Sequence, residues 1–140
     1  MTLEEKNEQI VRGWIEKVFN ARSTEFTADY KDPVTYKSHS PFPGTTPNLG
    51  GFMNAFGQVL QAFPDFRFHA DEIISKGDIV VVRATWTGTH RGTYMGIAPT
   101  NKKLSVTRLD MLRIEGDKIV EHWGFGDDWN KIRQLTANAI

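Results

Sequence analysis

Apolar residues near the N-terminus recur at helical spacing: Ile10, Val11, Trp14, Ile15, Val18 and Phe19. That stripe predicts an amphipathic helix of about five turns. Thr2 reads as its N-cap and Glu5, three residues on, completes a capping box. Asn20-Ala21-Arg22-Ser23 ends it, and a short second helix around Phe26 and Tyr30 follows. A further helical stripe runs through Leu49, Phe52, Met53, Phe56, Val59, Leu60 and Phe63, and Pro64-Asp65 stops it.

Beyond Pro64 the period changes to two. Phe66, Phe68 and Ala70 alternate with Arg67 and His69, which predicts a strand over 66–74. Further strands are predicted over 79–90, 104–114 and 119–125, with turns at Lys76-Gly77-Asp78 and Gly116-Asp117. A connection rich in Gly and Pro covers 91–103. A C-terminal helix is predicted over 128–135, with Asp127-Asp128 as its cap. Helices first and strands afterwards argue for an α+β fold with an antiparallel sheet. Residues 33–50 hold four of the six prolines. Proline removes backbone donors, so this is a long ordered loop or a broken strand. A loop of that length in a compact domain is usually functional.

Composition narrows the class. The chain has 140 residues, which suits one domain over 1–140 with a substantial core. Hydrophobic residues make up 39% and aromatics 11%, so the chain is globular rather than disordered. Seventeen basic residues balance seventeen acidic ones, and no basic run appears, so no nucleic-acid partner is expected. The absence of cysteine excludes disulfides, a thiolate nucleophile and a thiolate metal site. No apolar run approaches the roughly 18 residues of a spanning helix. MTLEEKNEQIVRGW has no signal-peptide core, so a cytoplasmic protein without membrane partners is expected. Histidines show no helical metal spacing and no phosphate loop opens a helix, so neither metal nor cofactor is expected.

Two stretches carry a family signature: QAFPDFRFHADEIISKGDIVVVRATWTGTHRGTYMGIAPTNKKL and MLRIEGDKIVEHW. With Met95-Gly96-Ile97-Ala98-Pro99-Thr100 and the closing Glu121-His122-Trp123, the chain resembles the SnoaL-like polyketide cyclases of the NTF2-like superfamily over nearly its whole length. The resemblance implies a cone, in which a bent antiparallel sheet wraps a cavity and N-terminal helices close it. It also implies a small hydrophobic ligand and a homodimer. Cyclases of the family use an aspartate as general base two residues after the histidine of the last strand. Here that position is Gly124. They also place a histidine on the preceding strand, four residues before its terminal isoleucine, and here that position is Asp110. The chain departs from the cyclase pattern at both points.

Another acid–base pair is available in Asp110 and His122. Whether they share a face depends on hairpin register. A three-residue loop at Glu115-Gly116-Asp117 sets Asp110 opposite His122, whereas a two-residue loop at Gly116-Asp117 sets Met111 there and separates them. Both family positions line the cavity, which favours the first. An aspartate fixes a histidine's tautomer, and histidine is the usual base near neutral pH. Tyr36, Trp86 and Tyr94 are candidate donors to an enolate oxygen. Trp14, Phe56 and Leu112 are candidate cavity wall, and Gly124 leaves room. His39 reads as a solvated loop residue, His69 as outward and His90 as a strand end.

Two functions fit: a cofactor-independent cyclase, isomerase, hydratase or lyase acting on a hydrophobic carbonyl compound, or a non-catalytic binding or dimerisation module. Asp110 and His122 decide between them by facing an open cavity or not. Ile79, Val81, Met111 and Trp123 form the candidate dimer face.

Overall fold

The computed structural model describes residues 1–136. Helix α1 spans Leu3–Trp14. Its capping box is formed: the Glu5 N–H donates to Thr2 Oγ1 at 3.1 Å and the Thr2 N–H to Glu5 Oε2 at 3.4 Å. The apolar stripe predicts one regular helix to Phe19, and there the structure differs. The last turn, Ile15–Phe19, widens into a π-helix, with the Asn20 N–H on the Ile15 carbonyl at 2.8 Å. The reason is tertiary. Asn20 pairs its side-chain amide with the backbone of Phe68, accepting its N–H at 2.8 Å and donating to its carbonyl at 2.9 Å. The wider turn brings that amide to the sheet edge. It also lays Phe19 on Phe68 and Phe56, with ring centroids 4.7 and 5.2 Å apart.

Helix α2 is a single turn, Thr27–Tyr30. The proline-rich segment is ordered. Within it β1, Lys37–Ser38, sets Lys37 beside Glu121 and Ser38 beside His122 in parallel pairing. Helix α3, Leu49–Ala62, starts at Asn48, whose Oδ1 accepts the Gly51 N–H at 3.0 Å. Four long strands follow: β2 Arg67–Lys76, β3 Ile79–Thr89, β4 Lys103–Glu115 and β5 Lys118–Gly126. Helix α4, Asp128–Thr136, begins where Asp127 Oδ1 accepts the Asn130 N–H at 3.1 Å. The sheet order is β1-β5-β4-β3-β2, antiparallel throughout except for the short β1, which the sequence pattern did not suggest. This is the α+β cone expected, a curved open sheet with helices across its concave face. No helix among the described residues is long and apolar enough to cross a membrane.

Register decides what the concave face displays. Gly116 and Asp117 both have positive φ (55° and 66°), as a type I′ turn requires. The two-residue loop sets Glu115 opposite Lys118 and Ile114 opposite Ile119. A bulge then leaves Val120 without an opposite residue, so Arg113 meets Glu121, Leu112 meets His122 and Asp110 meets Gly124. Neither register weighed from the sequence is the one formed. The bulge reverses the face change that the tight turn alone would impose. Asp110 and His122 become diagonal neighbours on the inner face, still within side-chain reach.

Asn20 holds the edge of the sheet by two hydrogen bonds that a truncated side chain cannot make. Asn20→Ala should therefore destabilise the fold by about 1–3 kcal/mol in urea titration, with an unchanged slope. A loss below roughly 0.5 kcal/mol would show that the π turn does not depend on this pairing.

Candidate active site

The concave face and the helices enclose a cavity of about 490 Å³, within the range of small-molecule sites. Trp14 comes from α1, Tyr36 from the proline-rich segment, Phe56 from α3, Trp86 from β3 and Leu112 from β4, and all are buried in its wall. Tyr94 joins them from the loop after β3. Asp110, His122 and Gly124 line the same cavity. All nine residues singled out from the sequence are thus brought together in one space.

A line of polar groups crosses the apolar wall. Arg108 grips Asp110 in a bidentate pair, Nε to Oδ2 at 3.2 Å and Nη2 to Oδ1 at 2.9 Å. His122 Nε2 lies 2.8 Å from the same Asp110 Oδ1. The other ring nitrogen, Nδ1, is 3.1 Å from Ser38 Oγ. Tyr36, two residues before Ser38, lines the cavity beside it, and its hydroxyl accepts from Lys31 Nζ at 2.8 Å. The parallel pairing of β1 with β5 puts Ser38 there. Ser40 Oγ accepts the Gly124 N–H at 3.2 Å, and the His39 N–H reaches the His122 carbonyl at 2.8 Å. The proline-rich segment is thereby tied to the strand that carries the histidine.

Protonation follows from these contacts. Burial favours a neutral Asp110, but the His122 hydrogen bond and the Arg108 guanidinium prevail and hold its pKa down to about 2. Burial pushes His122 below the usual histidine value, against the pull of Asp110. A neutral ring beside an ionised carboxylate places its proton on Nε2, donating to Asp110. Nδ1 is left as the acceptor, facing the Ser38 hydroxyl. Burial also drives Lys31 well below the ordinary lysine value and raises Tyr36, which therefore stays protonated.

Gly124 is required by this packing. A Cβ there would run into Asp110 Oδ1 and would lie 2.5 Å from Arg108 Nη2 and 2.8 Å from His122 Cε1. The room that the glycine leaves is thus taken by the Asp110 carboxylate, delivered from the neighbouring strand.

Three polar residues of this line were not foreseen. Arg108 carried a signal, since it precedes Asp110 by two positions and so shares its face of the strand. Lys31 and Ser38 carried none, because long-range packing alone buries them. The remaining histidines lie elsewhere. His39 pairs with Glu121 at 2.8 Å and stacks on Trp123 with ring centroids 4.6 Å apart. His69 is outward and bonded to Asp71. His90 is more than a strand end, being wholly buried and stacked on Phe63, with Nδ1 accepting the Thr100 N–H at 3.2 Å. Asp127 caps α4, as expected. Among the described residues no cluster of His, Asp or Glu has the geometry of a metal site.

A curved sheet closed by helices over such a cavity defines an NTF2-like cone. The chain belongs to the SnoaL-like polyketide cyclase family, whose profile matches residues 9–135. Solved structures agree. IdmH from Streptomyces antibioticus is 27% identical, covering 92% of this chain and 97% of its own, at a TM-score of 0.80. TsrD from Streptomyces laurentii is 22% identical over 99% of this chain and 100% of its own, at 0.86. A SnoaL-like polyketide cyclase from Agrobacterium tumefaciens is 18% identical over 92% and 97%, at 0.77. No curated protein matches the chain.

The depressed groups set the pH dependence of stability. A group whose folded pKa is lowered stabilises fully above its unfolded value and loses that contribution as pH falls. For Asp110 the window runs from 3.8 down to about 2, worth roughly 2 kcal/mol. For His122 it opens below 6.5. Melting temperatures of the wild type and His122→Gln, compared between about pH 8 and pH 5, should diverge at the high end and converge as pH falls. Parallel curves would mean that His122 is not held neutral.

Proposed function

We propose that the protein is a cofactor-independent enzyme acting by proton transfer on a hydrophobic carbonyl compound, in a cyclisation, isomerisation or related lyase reaction. The observation that supports this best is the Ser38–His122–Asp110 line in an otherwise apolar cavity. Asp110, ionised and clamped by Arg108, is too weak a base for neutral pH and serves to orient the ring. His122 Nδ1 is the base, taking a proton directly once the Ser38 hydroxyl swings aside, or through that hydroxyl. Such a group contributes about 10²–10⁴-fold in rate. The hydroxyl of Tyr36, protonated beside Lys31, is the donor for the developing enolate oxygen. The family's carboxylate is on this reading moved rather than lost, with Asp110 reaching from β4 into the space over Gly124.

A second reading, a non-catalytic binding module, draws support from one feature: both nitrogens of His122 already have partners within the protein. Turnover decides between the two. The probe is 1-tetralone, a bicyclic aromatic ketone, and the readout is exchange of its α-hydrogens for deuterium by NMR. Wild-type protein should accelerate exchange, and His122→Gln and Asp110→Asn should each lower the rate about 10²–10⁴-fold while melting cooperatively. Tight binding of the ketone with no acceleration would favour the binding module.

We further propose a homodimer formed through the outer sheet face. Ile79, Val81, Met111 and Trp123 share that face and are half-buried, and beside them Leu109 pairs across the ladder with Phe125, 52% and 74% exposed. Contiguous exposed apolar surface of this kind marks an interface. Light scattering at micromolar concentration should give twice the chain mass, falling to the chain mass in Leu109→Glu. A wild-type chain of single mass would refute the dimer.

A further inference from the structure

The acid–base reading leaves Lys31 without a chemical role. It is only 2% exposed, on the cavity wall, and its Nζ lies 3.7–4.4 Å from the ring centroids of Phe52, Tyr36 and Trp14. Its Nζ donates to the Tyr36 hydroxyl at 2.8 Å. The nearby carboxylate that attracts it, Asp110, is already neutralised by the bidentate Arg108. The other cavity lysine, Lys131, differs: it forms an ion pair with Asp128 at 3.0 Å.

Ring faces favour an ammonium only modestly, whereas burying one without a carboxylate carries a much larger desolvation cost. The second effect wins, and a buried lysine in such surroundings becomes a neutral amine. The three rings then act as walls that fix the direction of Nζ. A neutral, fixed amine beside a phenol, in a cavity for carbonyl compounds, is the arrangement of a nucleophilic lysine.

We propose that Lys31 Nζ forms a covalent imine with a ketone or aldehyde carbon of the bound ligand. The nitrogen lone pair attacks the carbonyl carbon, the carbonyl π pair moves to oxygen, and the Tyr36 hydroxyl protonates that oxygen. The resulting carbinolamine gives up a nitrogen-bound proton to the Tyr36 phenolate. The regenerated Tyr36 hydroxyl protonates the carbinolamine hydroxyl, which leaves as water as the nitrogen lone pair forms the C=N bond, and the iminium proton returns to the Tyr36 phenolate to leave a neutral imine. No oxidant or reductant is consumed. Ligands with a second carbonyl two carbons away gain most, because the adduct settles as a conjugated enaminone. The inference rests on the cavity admitting a carbonyl compound, and not on His122 acting as base. The charged and titratable groups facing Lys31 are Tyr36 beside it, Asp110 on β4 and His122 on β5.

The probe is pentane-2,4-dione at neutral pH. The protein should gain the mass of one diketone less one water, with a near-ultraviolet enaminone band. Peptide mapping should place the adduct on Lys31 in preference to the surface lysines, since burial leaves its amine free at a pH where theirs are protonated. Lys31→Met should lose the band. His122→Gln should keep it while losing ketone exchange, which separates this proposal from the base assignment. Labelling spread over surface lysines with Lys31 unmodified in the wild type would overturn the imine. That map needs no variant to fold.

Discussion

One extra residue in β5 decides what this cavity contains. The tight turn at Gly116-Asp117 would put His122 on the convex face, beside Met111. The bulge at Val120 moves it inward and sets Asp110 against Gly124. The displaced register is held from outside. Arg113 bridges Asp78, at 2.8–2.9 Å, and Glu121, at 2.9 Å, while the Ile114 N–H donates to the Asp78 carbonyl at 2.8 Å. Partly exposed ion pairs add little net stability. Their value here is geometric, because they join the β2–β3 turn to both strands of the hairpin at the bulge. Bulges commonly re-aim a side chain beside a site in this way.

The electrostatics follow from that register. A carboxylate, a guanidinium and an imidazole buried together cost desolvation energy that good geometry only partly returns. The cost is held down by charge balance: Arg108 and Asp110 cancel, and the imidazole is neutral. An apolar trio would be cheaper to bury, so stability alone does not account for this choice of residues. The same balance fixes roles. Two bonds from Arg108 and one from His122 leave Asp110 little basicity, while the carboxylate sets which nitrogen of His122 is the acceptor, the one bonded by Ser38. Removing Arg108 would leave Asp110 with one neutral partner and free it to compete for protons.

Much of the frame was legible in the sequence because it rests on local pattern. The capping box at Thr2, the stripes of α1 and α3, the change of period at Pro64 and the Asp127 cap all depend on residues within a few positions of one another. The family signature supplied the cone. What was not legible depends on distant partners. The π turn exists because Asn20 meets Phe68, and the parallel β1 exists because the proline-rich segment meets β5. Lys31 sits in Tyr-Lys-Asp-Pro, which reads as a solvated turn until Trp14 and Phe52 close over it. A bulge has no marker in this stretch at all. The sequence posed the right question at the hairpin, but both offered registers lacked the inserted residue.

The position of Gly124 connects the family comparison to the chemistry. In the cyclase pattern a carboxylate at that position is the base. Here a side chain at 124 would collide with Asp110, so the two arrangements exclude each other in one cavity. Restoring an aspartate at 124 would therefore expel the Asp110–Arg108 pair rather than add a second base. Asp110 stands across the ladder from the missing residue and belongs to the strand where the pattern has a histidine, while the histidine of this chain stands on β5. Relative to the pattern, the carboxylate has thus moved from β5 to β4 about the same small volume of space, the β5 histidine is kept as His122, and the β4 histidine has no counterpart. A move of that kind keeps polar groups at one end of the cavity while altering which nitrogen or oxygen faces its interior. It accounts physically for how a chain can keep the family's fold and cavity yet lack both of its expected catalytic residues.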